Sequence, residues 1–423
     1  MQSSPALVPD GVPAQTASPA TGLRRGSAAY RRVSAAFFLV GFAPFSLIYC
    51  VQPLLTEFTR AYGISAPQSA LALSLTTGLL ALSILLMSAL GEGWPRRRLI
   101  FASMCGAALL TLLSAAAPSW PLFLLARAAE GVVLGGVPAM AMAFLTDLID
   151  RRDLGRAMGL YVGGTAFGGM MGRVGLGLLT EFTPWRVALL VVGLLALLAA
   201  AGFRMLVPDV PARGDGSLRA RDHLQVWRGH LSRGTLARLF LVGFVNLGVF
   251  VAVFNYLGFR LMAAPYHLSH AALSLLFTVY LFGVVASPVS GAVGDRFGRR
   301  LVLLGGLACS GAGLLLTLLP GLPAIILGIV LMTIGFFTTH SVASGWVGRE
   351  APDHRGHASA LYLLAYYLGS SVVGLVGGWF WTDLGWVGVV GFTAALLLLA
   401  LLGVRRLGDQ GARTAAGSGG VRN

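Results

Sequence analysis

Arg127 and Glu130 stand three residues apart inside an apolar run, so a helix would put both on one face. A charge at bilayer depth is expensive, which makes each such residue a candidate for working chemistry. The two side chains can neutralise one another, or the Glu130 carboxyl can take up and release a proton. Arg173 lies in another run and can hold an anionic or carbonyl group, pair with Glu130, or reach toward Glu181. Tyr49, Gln52, Asn246, Asn255, Tyr280, Tyr362 and Tyr366 are polar or amphipathic groups within apolar runs, suited to a cavity wall. Tyr362 and Tyr366 are four apart and share a face. His340 is the one histidine well inside such a run. It either bonds a neighbouring hydroxyl or serves a proton relay or a substrate contact.

Positioning these groups requires long apolar elements, and the chain supplies them. Of its 423 residues, 56% are hydrophobic and 11% charged, with a mean hydropathy of +0.78, which excludes an ordinary soluble protein. Twelve apolar segments, each roughly long enough for a bilayer, run approximately 33–55, 69–91, 98–117, 120–146, 156–180, 185–207, 236–261, 270–293, 300–319, 322–347, 357–381 and 385–404. The expected fold is an all-α membrane protein, with twelve transmembrane helices as two six-helix pseudo-symmetric bundles, 33–207 and 236–404. Residues 1–32 and 405–423 read as disordered tails. Residues 208–235 form the linker, with a short amphipathic helix around Leu224 and Trp227.

The basic residues are all arginine, and most fall in the even-numbered connections and the tails. That bias predicts both termini in the cytoplasm. The arginines form no surface stripe with interleaved aromatics, so nucleic acid is not an expected partner. The three cysteines lie apart, with neither metal nor disulfide spacing, and no metal or cofactor is expected. No nucleophile–base pair suggests an enzyme, and no phosphate-binding glycine loop suggests an ATP-driven pump.

A charged loop, Gly291-Ala292-Val293-Gly294-Asp295-Arg296-Phe297-Gly298-Arg299-Arg300, separates two apolar runs and must lie at a membrane face. A degenerate copy runs from Gly91 to Arg98, with Glu92 in the Asp position and Pro95 in that of the second glycine. Gly155–Tyr161 likewise matches Gly356–Tyr362 at the same offset of roughly 200 residues, which marks an internal repeat. The complete copy resembles the signature loop of the major facilitator superfamily, G-x-x-x-D-R-x-G-R-R. Arg127 and Gly131 match that family's fourth-helix R-x-x-x-G motif.

The resemblance covers residues from about 33 to 404. It implies a secondary transporter working by alternating access in a bacterial inner membrane, monomeric, with a small-molecule substrate and protons as its partners. The resemblance implies a proton-coupling role for Arg127; Glu130, where family members often have Gln, adds a titratable group beside it and is expected to share that role. A cytoplasmic gate would use Glu92, Arg96, Asp295, Arg296, Arg299 and Arg300. The glycine-rich fifth segment (Gly164, Gly168, Gly169) resembles that of the drug/proton antiporters, where it helps form the interface between halves, although their motif's proline is absent here. Efflux of small amphipathic compounds is the first expectation. The alternative is uptake or exchange of a small organic anion through an arginine-lined cavity. A non-transporting membrane sensor is the reading from another class.

Overall fold

The computed structural model describes residues 22–90, 94–208 and 220–407; Glu92, most of the N-terminal tail and nearly all of the C-terminal tail lie outside them. The first span is built in three pieces: α1 (Ala28–Tyr49), a 3-10 turn (Gln52–Leu54) and α2 (Leu55–Tyr62). Pro53 brings no N–H to a helical ladder, and the helix gives way there. The second and third spans are α3 (Ala66–Leu90) and α4 (Arg96–Ala116). The fourth is α5 (Trp120–Leu134) followed by α6 (Gly136–Leu148). The fifth is α7 (Leu154–Phe182) and the sixth α8 (Trp185–Leu206).

The linker helix α9 (Ala220–Leu231) forms as expected. Its inward face carries His223, His230 and partly buried Trp227, while Leu224 is exposed. His223 stacks on His357 at 5.0 Å, so α9 docks on the second half. Burial pushes the His230 imidazole below its usual range.

The second half opens with α10 (Gly234–Met262). Its second span is again broken, into α11 (His270–Leu275), a 3-10 turn (Leu276–Val279) and α12 (Tyr280–Phe297). Then come α13 (Arg299–Leu316), α14 (Leu322–Glu350) and α15 (Arg355–Arg405). α15 is two spans in one: Gly385, at φ 60° and ψ −146°, turns the chain in a conformation that a side chain would oppose. Ten helices among the described residues are long and apolar enough to cross a membrane. Glycines and Arg173 dilute the hydropathy of α7. With α7 counted and α15 divided, the twelve spans are complete.

The first helix begins at Ala28 rather than at 33. Ser27 Oγ accepts from the Tyr30 N–H at 3.1 Å and caps it. Residues 22–27 also have a defined place, which corrects the expectation of a disordered stretch over 22–32; the expectation for 1–21 lies outside the described residues. Leu23 pairs with Ile149, and the Arg25 N–H donates to Asp153 at 2.8 Å. The Arg152 N–H and the nearby Arg24 hold the Asp150 carboxyl below the usual carboxylate range.

The repeat is visible in the packing. A Cβ at Gly168 in α7 would collide with the Phe42 carbonyl of α1, and one at Gly369 in α15 would collide with the Phe244 carbonyl of α10. Each half thus sets its fifth span backbone to backbone on its first. Gly164, Gly168 and Gly172 of α7 thus serve packing within the first half, whereas Gly177, nearer the far end of α7, faces Ser274 of the second half.

The halves meet elsewhere. α3 runs along α15, and α7 meets α11 at the face away from the arginine-rich loops. There His270 Nε2 lies 2.9 Å from Glu57 Oε1, and Glu181 accepts from the Ala271 N–H at 3.0 Å. Toward the arginine-rich face, Gly159 and Gly163 of α7 and Gly291 of α12 border open space. The ties Glu57–His270 and Glu181–Ala271 join the halves at the far face.

Candidate functional site

The break in the first span exposes backbone carbonyls within the bundle, because the last turn of α1 has no further helical amides to satisfy them. Arg127 takes them: Nη1 donates to Leu47 O at 3.2 Å and Nη2 to Ile48 O at 2.9 Å. Nε donates to Ala72 O of α3 at 3.2 Å, and Nη1 also to Glu130 Oε2 at 2.6 Å. Both residues are 0% exposed, so this ion pair is wholly desolvated. Thr111 of α4, a residue that sequence reasoning passed over, donates to the same Glu130 oxygen at 3.1 Å. Glu130 Oε1 is buried with no partner, which leaves that oxygen open to a proton. Gly131 is required by the close approach of α3, since a Cβ would strike the Thr76 carbonyl.

The second polar centre lies between the halves. Arg173 is 1% exposed and, among the described residues, has no carboxylate partner. Its Nε donates to Gln52 Oε1 at 2.6 Å and its Nη1 to Gly169 O at 2.6 Å. Three rings surround the guanidinium, with centroids 4.1 Å (Tyr49), 5.0 Å (Tyr280) and 5.2 Å (Phe277) from Cζ. Gln52 Nε2 then donates across the interface to Asn255 Oδ1 at 2.8 Å. Gln52 belongs to the 3-10 turn of the first span and Phe277 to that of the eighth. Interrupted helices at membrane depth are tolerated where they line a site, and two of them bracket this arginine. Of the three partners open to Arg173 on sequence, neither Glu130 nor Glu181 is taken. Phe277 was missed: it is an ordinary apolar residue in an apolar run, and its role comes from the opposite half.

A third group belongs to the second half alone. His340 Nδ1 lies 3.0 Å from the Tyr362 hydroxyl, and its ring centroid is 4.5 Å from that of Tyr366. Tyr362 and Tyr366 do share a face, at 6.0 Å. Phe336 stacks on Phe250 at 4.0 Å, and Phe250 packs on Tyr280 at 5.5 Å, which carries the aromatic wall toward Arg173. Asn246 does not join the site; its Nδ2 donates to Phe336 O at 3.0 Å and ties α10 to α14.

At the arginine-rich face, Asp295 pairs with Arg299 at 3.1 Å and Arg349 at 3.3 Å, all three in the second half. Arg96 pairs with Asp147 inside the first half. Arg296 lies over the Phe297 ring, and Arg300 donates to Arg405 O. Each of these ion pairs lies within one half. At the far face, Glu57 is not simply solvated: it is bonded to Arg60 at 3.0 Å and to His270 of the other half.

Comparison with known proteins agrees with this architecture. The family model of the Major Facilitator Superfamily matches residues 36–261 and again 239–420. An uncharacterized MFS-type transporter of Bacillus subtilis, YybF, is 42% identical over 381 residues, which are 90% of this chain and 94% of that one. The inner membrane transport protein YnfM of Escherichia coli is 39% identical over 404 residues, 94% and 97% of the two chains. Among solved structures, the nucleoside transporter NupG superposes with a TM-score of 0.74 at 14% identity, covering 88% of this chain and 99% of that one. A bacterial homologue of the human lysosomal transporter Spinster superposes at 0.70 with 15% identity, covering 90% and 98%.

Proposed function

The chain belongs to the major facilitator superfamily and is a multi-pass membrane transporter; on that premise we propose that it carries a small amphipathic organic anion, coupled to protons, by alternating access. The observation that carries this reading is Arg173: a guanidinium buried between the halves with no acid beside it among the described residues. Buried charges are ordinarily paired, because the cost of removing them from water must be offset. An anionic substrate supplies the missing partner. The surrounding Tyr49, Phe277 and Tyr280 suit a ligand with an apolar or aromatic body, so the electropositive centre and the aromatic wall describe one molecule rather than two alternatives.

Proton coupling is assigned to Arg127 and Glu130. When Glu130 takes a proton on its free oxygen, Arg127 keeps three backbone carbonyls, so neither state strands the guanidinium. His340, hydrogen-bonded to Tyr362, is assigned to the wall and not to the relay. The arginine-rich face is assigned to the cytoplasm of a bacterial inner membrane. The Asp295 network there would lock the opposite, outward-open state by engaging arginines across the halves.

The test is a thermal-shift screen of the purified protein against aromatic carboxylates, sugars, amino acids and lipophilic cations at two pH values. Ligands of the folded state raise its melting temperature. Stabilisation by carboxylates that disappears in Arg173→Ala is the expected result. Stabilisation by cations or sugars alone, unaffected by that change, overturns the anion assignment.

A further inference from the structure

A planar carboxylate binds a guanidinium best through two parallel hydrogen bonds along one edge, either Nε with one Nη or the two Nη groups together. In this structure the Arg173 Nε is already engaged, by the amide oxygen of Gln52 at 2.6 Å. We propose that Gln52 is a built-in stand-in for the substrate: its Oε1 occupies the place of an anion's oxygen on Arg173, and an arriving anion must displace it. The proposal rests on the anion reading of the site.

Three features support it. The amide oxygen is neutral whereas a carboxylate is charged, so exchange favours an anion and disfavours a neutral ligand of the same shape. Gln52 sits in a 3-10 turn between α1 and α2, where the backbone is not fixed by a continuous helical ladder. It also lines, with Thr56, Phe254, Asn255 and Phe277, a small cavity between the halves, so its surroundings are not fully packed.

Displacement has a second effect. The same side chain donates to Asn255 Oδ1 of the opposite half, and Asn255 Nδ2 is buried with no partner of its own. Moving Gln52 off Arg173 therefore loosens a tie between the halves and leaves the Asn255 amide free to reorganise. Occupancy of the site and release of the far-face contact become one event, and Gln52 is its positioning residue.

The probe is benzoate, with benzamide as its neutral counterpart, titrated against the purified full chain. Removing an internal competitor raises the apparent affinity, as removing any unproductive state does, so Gln52→Ala is expected to bind benzoate about tenfold more tightly. Gln52→Glu plants a carboxylate on Arg173: benzoate binding should be lost at neutral pH and return as the pH falls and that carboxyl is protonated. Benzamide should not distinguish the variants. Weaker benzoate binding in Gln52→Ala would make Gln52 a ligand contact and overturn the proposal, as would unchanged binding in Gln52→Glu. If Arg173→Ala binds benzoate as the parent does, the anion reading itself falls. A second measurement needs no ligand: amide hydrogen exchange in residues 263–275 should speed up in Gln52→Ala, and an unchanged profile there overturns the tie between the halves.

Discussion

Arg127 and Arg173 are equally withdrawn from solvent, yet their surroundings differ in kind. Arg127 has a carboxylate, three carbonyls and a position inside one half. Arg173 has an amide oxygen, one carbonyl and a ring of aromatics contributed by both halves. The first arrangement matches charge with charge and leaves one oxygen, Glu130 Oε1, without a partner among the described residues. The second lacks an anion. A buried charge that is fully matched belongs to the framework and its switching; one that is matched only by neutral groups at a moving interface is suited to receive a partner from outside.

The sharpest way to test that contrast is to remove each arginine and compare unfolding. Arg127→Ala leaves Glu130 buried without its partner and should cost about 3–5 kcal/mol of stability. Arg173→Ala strands no carboxylate and should cost clearly less in the same denaturation experiment. Equal losses would break the comparison.

Next in size is recognition. Charge-assisted hydrogen bonds contribute about 1.5–3 kcal/mol each, so Arg173→Ala should weaken a carboxylate ligand by roughly ten- to a hundredfold in titration calorimetry. Arg173→Lys should restore only part of this, because a point charge cannot reproduce the fork. Glu130→Gln should remain folded, and its uptake into proteoliposomes should lose its dependence on an imposed proton gradient. Retained dependence would move the proton site elsewhere. The smallest effect on stability belongs to Asp295→Asn: Asp295 and Arg349 are exposed and Arg299 partly so, and the unfolding free energy should change by less than about 1 kcal/mol while flux falls strongly. Unimpaired flux would remove the gate assignment.

Much of the framework could be read from the chain. Apolar length announced the spans, and the offset between Gly155–Tyr161 and Gly356–Tyr362 announced the repeat that Gly168 and Gly369 then display in their packing. Arg127 and Glu130 were legible as a pair because helical spacing alone puts them on one face. The surroundings of Arg173 were not. Periodicity fixes neighbours along one helix, whereas Phe277, Tyr280 and Asn255 come from the other half, and their approach depends on how each span is rotated and where it is broken. The same limit hid the meeting of Glu57 with His270. The placed residues before Ala28 escaped for another reason: residues 22–27, with two glycines and two arginines, gain their structure from pairing with Ile149 and Asp153, not from their own composition.

The missing acid beside Arg173 has an electrical consequence. A carrier that holds one positive charge at its centre becomes neutral there when a monoanion sits on it. For the charge at this site alone, and apart from any proton carried on Glu130, the membrane potential, which acts on a moving charge with about 2.3 kcal/mol per 100 mV for a full crossing, would then act on the vacant site as it reorients and hardly at all on the occupied one. Under the proposed reading, voltage sets how fast the vacant site returns, and the anion crosses under the shelter of a charge the protein already owns.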